Sequence, residues 1–297
     1  MPVTNLFLKR LSAGILFLYS VCIHWQTLAS ESSIKWFSPL DQSQIELPKS
    51  PLTQGGWLIG QTQPEAELEF NGQKVTVDAE GYFIIGIGRD ESKARLEFKQ
   101  GQGHKTIYLP VEEREYNIQR IDGLPERMVN PMGEEVLKRI RSEAAEVYAA
   151  RQTFEPRKDF LAGFIWPAKG PKTGVYGSQR VLNGDPKRPH FGVDVAGPVG
   201  TEIYAPADGV VRLAHPDMYY SGGTMVIDHG HGLTSTFLHL SKLLVKAGAE
   251  VKQGQLVAEM GATGRATGSH LDWRLNWFNV RLDPETVVTG DPDNVHE

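Results

Sequence analysis

Ala207-Asp208-Gly209-Val210-Val211 sets the character of the carboxy-terminal half: a β-branched pair entered through an Asp-Gly turn. Residues 224–228 and 249–260 repeat the theme, apolar and β-branched runs split by tight glycine turns. Between 160 and 284 no stretch shows the apolar period of an amphipathic helix. Short strands with glycine punctuation predict a compact, mainly antiparallel β domain over 160–290, with 291–297 as a tail.

Upstream, residues 30–115 alternate on a shorter scale. Leu68 and Phe70 precede Asn71-Gly72, and Val75 and Val77 follow. Asn-Gly between alternating apolar pairs predicts a hairpin, because a type I′ turn needs positive φ at both central positions. Further alternation at Leu96 with Phe98 and Ile107 with Leu109 extends the pattern to a small β-sandwich, immunoglobulin-like in its spacing. His104 falls in a turn, and nothing in this region looks catalytic. Over 131–151 the period changes: Val136, Leu137, Ile140, Ala144 and Val147 recur at helical spacing. Glu134–Lys138 and Glu135–Arg139 are spaced as i,i+4 pairs. Residues 116–159 thus form a linker carrying one helix, with a boundary at Pro156.

The first 29 residues carry Lys9 and Arg10, a short apolar run and small residues ending at Ala29. That is the layout of a secretory signal peptide, and the run is shorter than the ~20 residues that span a bilayer. Its removal deletes two bases and no acid, moving the net charge from −5 to −7, and deletes Cys22, the only cysteine. The expected protein is exported to the periplasm or cell envelope, without a disulfide and without a membrane span. The acidic balance and the absence of a Lys/Arg block exclude an electrostatic nucleic-acid binder.

Chemistry concentrates late in the chain, where six of the nine histidines lie between 190 and 270. His190-Phe191-Gly192-Val193-Asp194 places imidazole and carboxylate on one short turn, and both ligate zinc. Thr267-Gly268-Ser269-His270-Leu271-Asp272 puts His270 and Asp272 two apart on a predicted strand, hence on one face. His239 is a third candidate, on a separate segment. His229, His231 and His215 read as structural or loop histidines, and Trp273, Trp277 and Phe278 as core.

Several ordered fragments resemble the lysostaphin-type zinc metalloendopeptidases, the LytM-domain proteins that cut peptide bridges in bacterial peptidoglycan. They are Tyr176-Gly177-Ser178-Gln179-Arg180, the 190–194 motif, Gly200-Thr201 with 205–211, His229-Gly230, His239-Leu240-Ser241, 248–255 and 261–271. The resemblance covers about residues 163–284. It implies an antiparallel β fold of the duplicated hybrid type with a substrate groove across the sheet. It assigns His190 and Asp194 as zinc ligands, with His239 and His270 as the catalytic groups. Arg180 matches a position near the groove, where substrate contact and a structural ion pair are equal readings. Asn183 is a further groove candidate.

The chain departs from the family at one position. The second histidine of the family's His-x-His motif, its third metal ligand, is Asp272 here. Aspartate still ligates zinc, but two carboxylates leave the centre less positive and favour harder ions such as manganese. The expected cofactor is therefore one divalent metal, zinc or a harder ion, held by His190, Asp194 and Asp272. The expected function is metal-assisted hydrolysis of peptide cross-links in peptidoglycan stems. The competing reading is a catalytically weak or inactive LytM-domain regulator that activates a cell-wall amidase or engages another envelope protein.

Overall fold

The computed structural model describes residues 34–40, 44–45 and 52–294. The expected signal peptide and Cys22 lie outside the described residues. Among those described, no helix is long and apolar enough to cross a membrane. The described residues are mainly β, with one long helix among them, Glu134–Arg151.

Amino-terminal to that helix are two four-stranded antiparallel sheets. One holds Lys35–Phe37, Gln44–Ile45, Trp57–Gln61 and Tyr82–Gly86; the other holds Glu67–Phe70, Gln73–Val75, Ala94–Gln100 and Gly103–Leu109. The Asn-Gly hairpin forms as its chemistry dictates: Asn71 and Gly72 have φ of 48° and 83°, and Phe70 pairs with Gln73 across the turn. Leu68, Phe70, Leu96 and Phe98 alternate into the core, and within the first sheet Trp36 packs edge-on against Phe83.

The carboxy-terminal region is a ten-stranded, wholly antiparallel sheet. Its centre runs Val193–Ala196, His270–Trp277, Leu233–Leu243, Gly222–Asp228 and Gly209–Met218, in that spatial order. Val193, Phe237, Leu271 and Trp273 are fully buried on these central strands, and Trp166 stacks edge-on over Trp273. Among the described residues the helices here are short 3₁₀ turns, Asp159–Ala162, Pro284–Val287 and Pro292–Asn294.

The two β regions are joined by contacts as well as by chain. Phe70 meets Trp277, the Trp57 indole donates to Thr286 Oγ1 at 3.2 Å, and Arg114 pairs with the buried Asp283 at 2.7 Å. Buried His231 lies 3.3 Å from Asp78 of the amino-terminal region and packs between Phe154 and Phe160. The connector adds a strand of its own: Ile118–Ile121 runs parallel to Gln179–Leu182.

The connecting helix differs from its sequence reading in detail. Arg139 reaches forward to Glu143 and across to Asp217, rather than back to Glu135. Its buried residues are Glu143, Ala150 and Arg151, whereas Leu137 and Ala144 are exposed. The helix meets the sheet through polar contacts, and its apolar stripe (Ile140, Ala144, Val147) faces a cavity instead of a packed core.

Candidate metal centre

The strand Val193–Ala196 lies antiparallel to His270–Trp277 with Asp194 directly opposite Asp272. Facing residues of an antiparallel pair share a side of the sheet, so register alone brings the two carboxylates together. His190 is pinned through both of its main-chain groups: its N–H donates to Ser178 O at 2.8 Å, and its carbonyl accepts from Gly177 N at 2.8 Å.

One ligand atom from each of His190, Asp194 and Asp272 lies within 4.8 Å of the other two, and all three residues are buried. His190 Nε2 is 3.0 Å from Asp194 Oδ1, and His190 Nδ1 is 3.9 Å from Asp272 Oδ2. Yet both imidazole nitrogens and Asp194 Oδ1 are buried without an aligned hydrogen-bond partner. Orphaned buried polar atoms are costly, and three converging ones fit a bound cation, which their N and O chemistry suits. Two glycines keep the space open. A Cβ at Gly174 would stand 2.2 Å from Asp194 Oδ2, and one at Gly192 would stand 2.6 Å from Asp272 Oδ1. Neither glycine has positive φ, so their value here is clearance rather than backbone freedom.

His239 and His270 face each other beside this cluster, ring centroids 4.7 Å apart. Period 2 places His270 on the face of Asp272, as the sequence implies. His239 arrives by a different route. The pairing of Leu233–Leu243 with Gly222–Asp228 shifts register between Gly223 and Met225, and His239 takes a φ of 65°. An irregularity of this kind re-aims a side chain that strict alternation would turn away. His239 Nδ1 bonds Thr263 O at 2.8 Å and His270 Nδ1 bonds Gly268 O at 2.9 Å. A carbonyl only accepts, so both rings donate through Nδ1, which leaves Nε2 as the nitrogen available for proton exchange. His270 Nε2 is 3.9 Å from Asp194 Oδ1. Burial drives the His239 pKa down to about 4, leaving it neutral near pH 7.

Two arginines grip the carboxylates from behind. Arg180 Nη2 donates to Asp194 Oδ2 at 3.2 Å, and its Nε donates to Gln119 of the connector strand at 3.2 Å. Arg274 clamps Asp272 with two bonds, Nε to Oδ1 at 2.9 Å and Nη2 to Oδ2 at 2.6 Å. Burial opposes ionisation of Asp272, but Arg274 and then His190 outweigh it and hold its pKa far below the carboxylate range. Burial likewise opposes Asp194, and His190 with Arg180 overcomes it against repulsion from Asp272. Sequence reading overlooked Arg274, although the period that joins His270 to Asp272 extends to it. Asn183 stands apart: it is exposed and bonded through its side chain to both main-chain groups of Leu124.

A cleft of about 320 Å³ opens onto this cluster, bordered by Gln119, Arg180, Asp194, His239, Arg265 and His270. Among the other histidines, His229 bonds Asp208 O and Ser235 Oγ in the core, and His215 is a surface residue accepting from Asp217 N.

Comparison with known proteins points to a peptidase family. Residues 188–284 match the model of peptidase family M23. Peptidoglycan DD-endopeptidase ShyA of Vibrio cholerae is 44% identical over 104 residues, 31% of this chain and 24% of the relative. Peptidoglycan DD-endopeptidase ShyB of the same organism is 34% identical over 198 residues, 66% of this chain and 38% of the relative. The chain thus spans less than two fifths of these curated relatives. A crystal structure of a candidate M23 peptidase from Pseudomonas aeruginosa aligns with a TM-score of 0.62 at 30% identity, covering 81% of this chain and 96% of that one.

Proposed function

We propose that this chain, which belongs to peptidase family M23, is an exported endopeptidase hydrolysing peptide cross-links of bacterial peptidoglycan. In this reading residues 1–29 are a signal peptide, 30–115 an immunoglobulin-like module, 116–159 a connector and 160–290 the hydrolase, working in the periplasm or cell envelope. The observation that carries it is the buried convergence of His190, Asp194 and Asp272 beside two imidazoles that are each anchored through Nδ1 to a main-chain carbonyl.

Those three residues would hold a divalent ion, which supplies Lewis-acid polarisation of a carbonyl and acidifies water. The remaining work falls to side chains. His239, kept neutral by burial, and His270 share two duties: accepting a proton as general base, and stabilising the oxyanion or returning the proton to the leaving amine. The Thr263 and Gly268 carbonyls fix both tautomers, so neither ring must reorient to start. Arg180 borders the cleft while holding Asp194, which supports a second role in contacting bound peptide.

The second reading is a LytM-domain regulator that activates a cell-wall amidase, and one observation favours it. With Arg180 and Arg274 both engaged, the charges of Asp194 and Asp272 are already balanced, so an arriving cation meets a site of reduced attraction. The deciding experiment measures metal content of the purified chain and hydrolysis of intact cross-linked peptidoglycan, with His190→Ala and Asp272→His alongside. About one metal per chain, with cleavage lost in His190→Ala, supports the enzyme. No metal and no cleavage in either wild type or Asp272→His sinks it in favour of the regulator.

A further inference from the structure

A second, larger cavity of about 650 Å³ lies between the helix Glu134–Arg151 and the sheet, and it shares Arg180, Leu182, His239 and Arg265 with the cleft at the metal centre. Its wall is strongly cationic although the chain as a whole carries a net charge of −5. Seven basic side chains line it, against the single carboxylate of Glu143. That carboxylate is already taken, by Arg139 and by the Tyr219 N–H at 2.8 Å. Of the cations, Arg180 and Arg274 serve Asp194 and Asp272, and Lys187 lies 3.5 Å from Asp185.

Four remain without a carboxylate partner among the described residues: Arg151, Arg188, Arg265 and Arg281. Arg281 Nη1 donates to Asn276 Oδ1 at 3.3 Å with its guanidinium 6.0 Å from the Phe191 ring centre, and Arg265 Nη1 has the Met128 carbonyl at 3.0 Å and the face of Tyr220. Arg151 is the most exposed to electrostatic cost. It retains 6% of its accessible surface, lines the cavity, and its Nε has no hydrogen-bond partner. Its place in the last turn of the helix gains something from the helix dipole, but that accounts for one cation and not four. The group is also mutually repulsive: burial, then Arg281 and Arg274, pull the Arg151 pKa well down. Buried, unpaired guanidinium groups destabilise a fold, and converging ones are the usual means of binding carboxylates bidentately. The helix also contributes apolar lining, from Ile140, Ala144 and Val147, beside Glu143 and Arg151.

We propose that this cavity is an anion subsite that takes the carboxylate-bearing arm of a peptide substrate, with Arg151, Arg188, Arg265 and Arg281 as its donors. The assignment to substrate rests on the endopeptidase reading, since peptidoglycan stem peptides combine free carboxylates with small apolar side chains. Continuity with the metal-centre cleft means that a peptide anchored here extends past His239 toward Asp194. The arginines select for charge at a distance from the scissile bond and act as specificity residues.

The test is calorimetric titration of the full chain at low ionic strength with N-acetyl-glutamyl-glutamate, its uncharged glutaminyl counterpart and inorganic phosphate. The diacid is expected to bind at least about tenfold more tightly than the diamide, and Arg151→Met or Arg281→Met to weaken it by about tenfold each. Arg151→Met is also expected to raise the melting temperature of the ligand-free protein by about 2–4 °C, because it removes an uncompensated buried charge. A purely structural arginine would lower it. Arg188→Met, at an exposed position, carries the binding test should the buried variants not fold. Equal binding of diacid and diamide, or binding unchanged in the variants, overturns the subsite. Phosphate binding as tightly as the diacid overturns the peptide assignment. His190→Ala should leave diacid binding intact, so loss of hydrolysis there with binding retained counts against neither the subsite nor its ligand, and failure of hydrolysis in the wild type counts against the endopeptidase reading alone.

Discussion

Substituting Gly174 by alanine is the sharpest probe of the metal centre, because the new methyl has nowhere to go. Its Cβ would sit 2.2 Å from Asp194 Oδ2 and 2.7 Å from Cγ, where ordinary contacts begin near 3.4 Å. The backbone at Gly174 does not have positive φ, so the change adds volume and nothing else. The Asp194 carboxylate must therefore retreat by about 1 Å, several times the ~0.2 Å latitude of a metal–ligand distance. Overpacking of this kind costs about 1–3 kcal/mol, which corresponds to a roughly ten- to hundred-fold loss of metal affinity if the strain falls on Asp194. The move also loosens the 3.2 Å contact with Arg180. The assay is competitive zinc titration of Gly174→Ala beside Gly268→Ala, with melting temperatures for both. Gly268 borders the same cleft with no atom within 4 Å of its would-be Cβ, so its variant should bind metal as the wild type does. Wild-type zinc affinity in Gly174→Ala would refute the assignment of Asp194 as a ligand.

Two further outcomes follow from buried charges. His229, His231 and His239 all have pKa values lowered by burial, His239 to about 4 from an ordinary 6.5. The unfolded chain then binds protons that the folded one refuses, so metal-free stability is full above pH 6.5 and falls as pH drops toward 4. His239 alone contributes about 3 kcal/mol to that loss. Urea titrations at pH 7.5 and 4.5 should show it, and His239→Gln should flatten the slope; an unchanged slope contradicts the burial argument. Asp283→Ala should cost about 2 kcal/mol in the same assay, because Asp283 caps the 3₁₀ turn at Glu285 N and holds Arg114.

Much of this was legible along the chain, and what escaped did so for identifiable reasons. Strand alternation and Asn71-Gly72 are local signals, and the structure honours them. The spacings of His190 with Asp194 and of His270 with Asp272 announced two halves of a cluster, but only antiparallel register makes the carboxylates face each other. The re-aiming of His239 depends on a shift against a neighbouring strand, which no reading of Phe237-Leu238-His239 alone supplies. The helix was visible from its period, but the period could not say that Glu143 and Arg151 would be buried while Ala144 stayed exposed. The cationic cavity was hidden most completely. Its unpaired arginines come from positions 151, 188, 265 and 281, so no basic run exists in sequence, and the concentration arises only when helix, loop and strands converge.

The parallel pairing of Ile118–Ile121 with Gln179–Leu182 has a last consequence. The strand partners come from opposite sides of the helix Glu134–Arg151, so the segment between them is a closed loop rather than a tether. A protease cutting near the exposed Gly123 or Met132 would sever the chain without parting the pieces, which stay zipped by the strand pair and by Arg114 on Asp283. Such a nicked molecule would migrate as one particle under native conditions and as two fragments once denatured.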